Sequence, residues 1–226
     1  MTEPTSAHVA RYRPESHGGE DDGRLRSPVF DRVSPVFLTA MAPWLGRRGG
    51  TVLEIGAGTG QQATASALAF PALRWVASDP DPVHRRSIAA WAAALKAPLG
   101  GPLDIDASAD WAGLPEVAAL GPLDAVVSMN VIHIAPMAVA RGILAGAGRV
   151  LAPGGLCVFY GPFVVGGRMI GPGNAAFDAR LRAENPDWGL RDVAEIEEIG
   201  AEAGLGFAAL LAMPANNRIL ILQKTL

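Results

Sequence analysis

Thr51-Val52-Leu53-Glu54-Ile55-Gly56-Ala57-Gly58-Thr59-Gly60 is an apolar run that ends in three alternating glycines. Val52, Leu53 and Ile55 read as a short buried strand. Gly56, Gly58 and Gly60 let the chain turn sharply and let a ligand approach the backbone, as residues without a Cβ can. A dinucleotide site needs G-x-G-x-x-G, with a helix N-terminus facing the pyrophosphate. Gln61 stands where that third glycine belongs. The spacing is instead Glu54-x-Gly56-x-Gly58-x-Gly60. A glycine-rich turn without a ligand, or a nicotinamide site with a degenerate third glycine, competes with other nucleoside ligands at this point.

Asp79 closes the next apolar run, Leu73-Arg74-Trp75-Val76-Ala77-Ser78. An acidic side chain about 20 residues past the glycine loop of an open α/β sheet can accept both hydroxyls of a ribose. Asp79 therefore supports an adenosine-type ligand without choosing which one. The competing role is an N-cap for a helix starting near Asp81.

The chain has 226 residues, half of them hydrophobic, enough for one domain with a substantial core. A net charge of -3 and a pI near 5.8 give no basic footprint for nucleic acid, so a small-molecule substrate is expected. The single cysteine, Cys157, excludes intramolecular disulfides and cysteine-rich zinc frameworks, which suits a reducing compartment. No apolar run approaches the roughly 18 residues of a membrane helix, and the first 30 residues lack a signal-peptide core. A soluble, cytoplasmic protein is the expectation.

Residues 1–27, rich in Gly, Pro and charge, read as a mobile arm with the makings of a lid, and residues 28–226 as a single domain. Apolar spacing predicts helices from Ser34 to Arg47, from the glycine loop to about Ala69, over 81–96 and over 138–151. Strands are expected at Leu73 to Ser78, Leu103 to Ile105, Leu123 to Met129 and Leu156 to Tyr160. This alternation argues for a mostly parallel sheet with helices on both faces. Phe207 to Met213 and Arg218 to Gln223 read as strands joined by Pro214-Ala215-Asn216-Asn217, too short for a crossover, so they should pair antiparallel. With the first strand these make a seven-stranded sheet. Residues 161–206 hold two further helices, near 173–184 and 191–203, in a stretch long enough to include a substrate-facing insertion.

Asp106, just past the third strand, can accept an adenine amino group, although a solvated loop acid is an equal reading and Asp104 competes for the role. Asn130 and His133 follow the fourth strand, at the sheet end where ligands of such folds bind, and no other histidine is expected there. His133, with an unperturbed pKa near 6.5, is a candidate general base, a substrate-orienting group, or a structural loop histidine. Tyr160, at the end of the fifth strand, is the second catalytic candidate.

The Glu54 to Gly60 loop, Asp79 and Leu151-Ala152-Pro153-Gly154-Gly155 resemble the shared motifs of class I S-adenosylmethionine methyltransferases, whose glycine loop wraps a methionine moiety. More narrowly, Asn130-Val131-Ile132-His133-Ile134, Tyr160-Gly161-Pro162-Phe163, Asn174-Ala175-Ala176-Phe177-Asp178, Trp188-Gly189-x-Arg191-Asp192 and Met213-Pro214-Ala215-Asn216-Asn217 resemble the family of domain of unknown function 938. The resemblance covers roughly residues 28 to 224. Pro28 to Pro35 is only similar to that family's Pro-Ala-Ala-Glu-Arg-Asn segment, and Met137 replaces an expected tryptophan.

The resemblance implies a Rossmann-like α/β fold with S-adenosylmethionine as cofactor, held by Glu54, Gly56, Gly58, Gly60, Asp79, Asp106 and Asn130. A methyltransferase sheet closes with an antiparallel strand, which a nicotinamide domain does not. The activity implied is in-line methyl transfer to a small-molecule acceptor without a metal ion. A nicotinamide-dependent oxidoreductase and a non-catalytic S-adenosylmethionine-binding module are the alternatives. Arg32, Asn174, Asp178 and Arg191 are the substrate-binding candidates. Asn174, Asp178, Trp188, Arg191 and Asp192 have the competing reading of fixing the insertion to the sheet through caps and ion pairs. Asn216 and Asn217 have that of turn formers.

Overall fold

The computed structural model describes residues 22–225; residues 1–21, most of the expected arm, lie outside them, as does Leu226. The chain runs α1 (Phe30–Leu45), β1 (Gly50–Ile55), α2 (Gln61–Ala69), β2 (Leu73–Ser78), α3 (Pro82–Leu95) and β3 (Leu99–Leu103). A short 3₁₀ turn precedes α4 (Pro115–Ala118), β4 (Leu123–Met129), α5 (Met137–Val150) and β5 (Leu151–Val165). Then come β6 (Arg168–Met169), α6 (Gly171–Glu184), β7 (Arg191–Asp192), α7 (Val193–Glu202), β8 (Leu205–Ala212) and β9 (Asn217–Lys224).

Seven strands form the main sheet in the order β3-β2-β1-β4-β5-β9-β8. The first five are parallel, and β9 pairs antiparallel with both β5 and β8. Strands buried on both faces need apolar side chains in both directions, which is why β1 and β4 read as continuous runs. Val52, Trp75 and Val158 pack beneath Phe37 and Met41 of α1, Ala63 of α2 and Ile88 of α3. Leu53, Val126 and Phe159 face the opposite layer, with Ile143 and Leu144 of α5 and Ile196 of α7. The strand order reverses between β1 and β4, which opens a crevice at their carboxyl ends.

Several boundaries differ from those read in the sequence. The third strand lies at Leu99–Leu103 instead of 103–105, because Leu-Gly-Gly-Pro-Leu has none of the β-branched residues that mark a strand. Helix α1 begins four residues before Ser34, at Phe30, with Asp31 in its first turn. β5 continues past Tyr160 to Val165, where the short β6 and β7 pair with it. Arg191 and Asp192 thus belong to a strand, and α7 starts at Val193 with Asp192 as its N-cap.

Residues 22–27, assigned by composition to the arm, pack on α3. Leu25 is buried, its N–H donates to Ser87 Oγ (2.9 Å), and its carbonyl accepts the Trp91 Nε1 proton (2.8 Å). Arg24 lies over the same Trp91 ring at 4.7 Å.

Candidate active site

The loops after β1, β2 and β3 form one half of a cleft of about 1060 Å³, and residues from α1, β4, β5, α6 and the β8–β9 turn form the other. Pockets for single small ligands occupy about 300–1,000 Å³, so this one is large enough for two small molecules side by side.

The three glycines divide their duties. Gly58 has φ +56°, and a Cβ built there would meet nothing within 4 Å, so its bare backbone opens into the cleft. Gly60 does not line the cleft. Its φ is +84° and a Cβ would lie 2.5 Å from Ile88 Cα, so it is glycine for the packing of α3. Gly56 lines the cleft and abuts Val131. Gln61 is buried, and its Oε1 accepts the Ser27 N–H, tying the segment before α1 against the glycine loop.

Asp79 is buried beside Gly58, whose N–H donates to Asp79 Oδ2 (2.9 Å), while the Asp81 N–H donates to Oδ1 (2.9 Å). The N-cap of α3 is Asp81, which accepts from Val83 N–H, so the capping alternative for Asp79 falls away. His84 Nδ1 sits 3.1 Å from Asp79 Oδ1. Burial pulls the His84 pKa down, but the hydrogen bond and charge of Asp79, with the charge of Asp81, outweigh it and hold it above the ordinary value. His84 lines the cleft, which revises the sequence reading that His133 alone is so placed. Its signal was its place in the first turn of the helix that follows Asp79.

Glu54 lines the cleft floor, and its Oε2 accepts the Trp75 Nε1 proton at 2.8 Å. Burial raises its pKa to about 7, against the smaller opposing effect of that hydrogen bond. Asp106 also lines the cleft, its Oδ1 accepting the Ser108 N–H (2.9 Å) and Oγ–H (2.6 Å). Its rival Asp104 is exposed and ion-paired with Arg85 at 2.9 Å, away from the cleft.

In the other half, Asn130 adopts φ +57° and donates its N–H to the Tyr160 carbonyl (2.8 Å). His133 is buried, edge-on to Phe177 with ring centroids 5.6 Å apart. Burial, aided by the positive charge of Arg191, lowers its pKa to about 4, so the imidazole is neutral at pH 7. Tyr160 is buried in edge contact with Phe37; burial raises its pKa and Arg32 opposes that. Arg32 and Asn174 line this half, and Asn174 Nδ2 donates to the Asn216 carbonyl at 3.3 Å. Asn216 (φ +60°) and Ala215 (φ +56°) keep left-handed geometry at the rim, so the turn-former reading of Asn216 and lining of the cleft hold together.

Asp178 and Arg191 are not brought to the cleft. Asp178 accepts the Leu190 N–H (2.7 Å) and pairs with Arg182 (2.9 Å). Arg191 donates to the carbonyls of Ile132 (3.0 Å), Ala135 (2.6 Å) and Asp187 (2.8 Å). Arg191 thereby ties the insertion to the loop that carries His133, while Asp178 braces the insertion within itself. Phe177 and Arg180, which the sequence reading did not select as site residues, line the cleft instead. Asn174, Phe177 and Arg180 follow each other at i+3 spacing, the only signal the sequence held for the last. Among the described residues no group of three or more His, Cys, Asp or Glu is arranged to hold a metal ion, and no helix is long and apolar enough to cross a membrane.

The sheet order, the glycine loop and the acid after β2 define the class I methyltransferase fold. The chain superposes on an O-methyltransferase family protein from Burkholderia thailandensis (TM-score 0.72, 18% identity), covering 87% of this chain and 57% of that one. It superposes on the S-adenosylmethionine-dependent methyltransferase SibL in its apo form (0.69, 23%), covering 87% and 56%. An O-methyltransferase family 2 protein from Planctomyces limnophilus DSM 3776, in complex with apigenin, gives 0.70 at 20% identity, covering 87% and 60%. The chain thus spans less than two thirds of each of these proteins. It belongs to the family described as Protein of unknown function (DUF938), whose profile matches residues 26–224.

Proposed function

We propose that this protein transfers a methyl group from S-adenosylmethionine to a small-molecule acceptor by in-line displacement, without a metal ion. The observation that carries the reading is a single cleft whose one half combines the open backbone of Gly58 with Glu54, Asp79 and Asp106, and whose other half leaves room for a second molecule. Three carboxylates and a glycine cradle suit a cationic amino acid joined to adenosine. Asp79 would take the ribose hydroxyls, Asp106 the adenine amino group, and Glu54 with Gly56, Gly58 and Asn130 the methionine end. When bound, S-adenosylmethionine supplies an activated methyl group on a sulfonium sulfur.

The protein's own task is then alignment of the acceptor, which can contribute roughly 7–11 kcal/mol. A neutral, buried His133 is a weak base but a well-fixed hydrogen-bond partner, so we assign it orientation of the acceptor together with Tyr160 and Asn174. A chain with one cysteine, and so without an intramolecular disulfide framework, fits the reducing, cytoplasmic setting we propose. The test is incubation with methyl-labelled cofactor and a metabolite extract, followed by mass spectrometry. A labelled small molecule, absent when the protein is omitted, is expected; S-adenosylmethionine binding with no labelled product across broad extracts would favour a non-catalytic binding module.

A further inference from the structure

Charge is segregated along the cleft. The acids Glu54, Asp79 and Asp106 all come from β1 and the loops after β2 and β3, on one side of the switch point. The two arginines that line the cleft, Arg32 of α1 and Arg180 of α6, lie in the half built around Tyr160 and His133. Four arginines outside the cleft are ion-paired, Arg24 with Asp22, Arg85 with Asp104, Arg149 with Asp110 and Arg182 with Asp178, and buried Arg191 is spent on backbone carbonyls. Neither Arg32 nor Arg180 has a carboxylate partner among the described residues. Arg180 Cζ instead lies 5.1 Å over the Phe177 ring, which meets His133 edge-on. A guanidinium, a phenyl ring and a neutral imidazole therefore form one tier along the acceptor half.

Two guanidinium groups at the mouth of the acceptor half, one of them lying over an aromatic ring, offer N–H donors and positive charge to an anionic, flat molecule that enters beside that ring. Guanidinium groups favour carboxylates because their fork of N–H donors matches two oxygens. We infer that the methyl acceptor is a small aromatic carboxylate, its carboxylate gripped by Arg32 and Arg180 and its ring against Phe177. This rests on the cleft being the methyl-transfer site. Both arginines are exposed, so they hold the carboxylate at the mouth and leave the acceptor's reacting group to point inward toward Tyr160 and His133. The acidic half correspondingly repels such an acceptor from the cofactor's place.

The test compares benzoate with its neutral isostere benzamide, by calorimetry at low salt, on protein saturated with S-adenosylhomocysteine. Benzoate should bind about tenfold or more tighter than benzamide. Arg32→Gln and Arg180→Gln should each weaken benzoate by about tenfold while S-adenosylhomocysteine affinity stays within about twofold. Both side chains are exposed, so folding should be intact. Equal affinities for the two probes, binding of neither at about 50 mM, or unaltered benzoate affinity in both variants overturns the anionic acceptor alone. Failure of the wild type to bind S-adenosylhomocysteine overturns the transferase reading, and this inference with it.

Discussion

The N–H of Gly58 donates to Asp79 Oδ2 at 2.9 Å, so the loops after β1 and β2 are tied together before any ligand arrives. Asp79 also accepts from Asp81 N–H and meets His84. A carboxylate with that many partners serves the fold as well as any ribose. Asp79→Asn keeps one acceptor oxygen and turns the other position into a donor facing an N–H. It should cost about 1–3 kcal/mol of stability and lower S-adenosylhomocysteine affinity by roughly 10- to 100-fold. Chemical denaturation and calorimetry read the two effects separately; unchanged affinity would leave Asp79 a loop brace only.

Glu54 should show itself through pH. Its folded pKa, about 7, lies above the ordinary 4.5, so the native state holds the extra proton. That stabilisation is complete below about pH 4.5 and is lost as pH rises through 7, a change on the order of 3 kcal/mol. Glu54→Gln, which can still accept from Trp75, should therefore raise the melting temperature at pH 8 and leave it nearly unchanged at pH 4.5. A cationic ligand favours the ionised form, so S-adenosylmethionine affinity of the wild type should increase from pH 6 to 8 with proton release. Equal melting of variant and wild type at pH 8 would contradict the buried, proton-holding carboxyl.

His133 has the opposite sign. Its folded pKa of about 4 lies below the ordinary 6.5, so stability is intact above pH 6.5 and is lost as pH falls through 4. Between about pH 4.5 and 6.5 the two groups offset one another, and the wild type should melt with little pH dependence there. His133→Gln should remove the acid-side loss and expose the Glu54 slope. At saturating cofactor, the same variant should raise KM for the acceptor while turnover shows no limb near pH 6 to 7 in either protein. A wild-type limb in that range that vanishes in the variant, with turnover lowered by about 100-fold or more, would make His133 a general base of ordinary pKa.

Arg191→Met should destabilise by about 3 kcal/mol or more, since three carbonyls lose a charged donor in a buried place. Cofactor affinity should be unchanged in the folded fraction, because Arg191 does not reach the cleft. A variant of wild-type stability that has lost only acceptor binding would return Arg191 to the site.

What the sequence disclosed follows from where the physics is local. β4 was legible at both ends because Leu123 to Met129 is an almost unbroken apolar run, and the terminal hairpin because Pro214 to Asn217 is too short to cross the sheet. β3 was misplaced because glycine and proline fill it and its strand geometry comes from pairing with β2. Glu54, Asp79 and Asp106 meet in the cleft, as the sequence led one to expect, because topology alone delivers acids near strand ends to one end of a parallel sheet. In the insertion, residue type was visible but direction was not. Asp178 and Arg180 lie two residues apart on α6, and only tertiary packing turns one into the contacts that fix the insertion and the other into the cleft.

The central claim is that the cleft between β1 and β4 takes S-adenosylmethionine, and thermal melting tests it most directly. At about 100 times its dissociation constant, S-adenosylmethionine or S-adenosylhomocysteine should stabilise the protein by roughly 2.7 kcal/mol. For a chain of this size that is a rise of roughly 5–10 °C, with no rise for NAD. No shift with either sulfur nucleoside at millimolar concentration, above all beside a clear shift with NAD, would contradict the account.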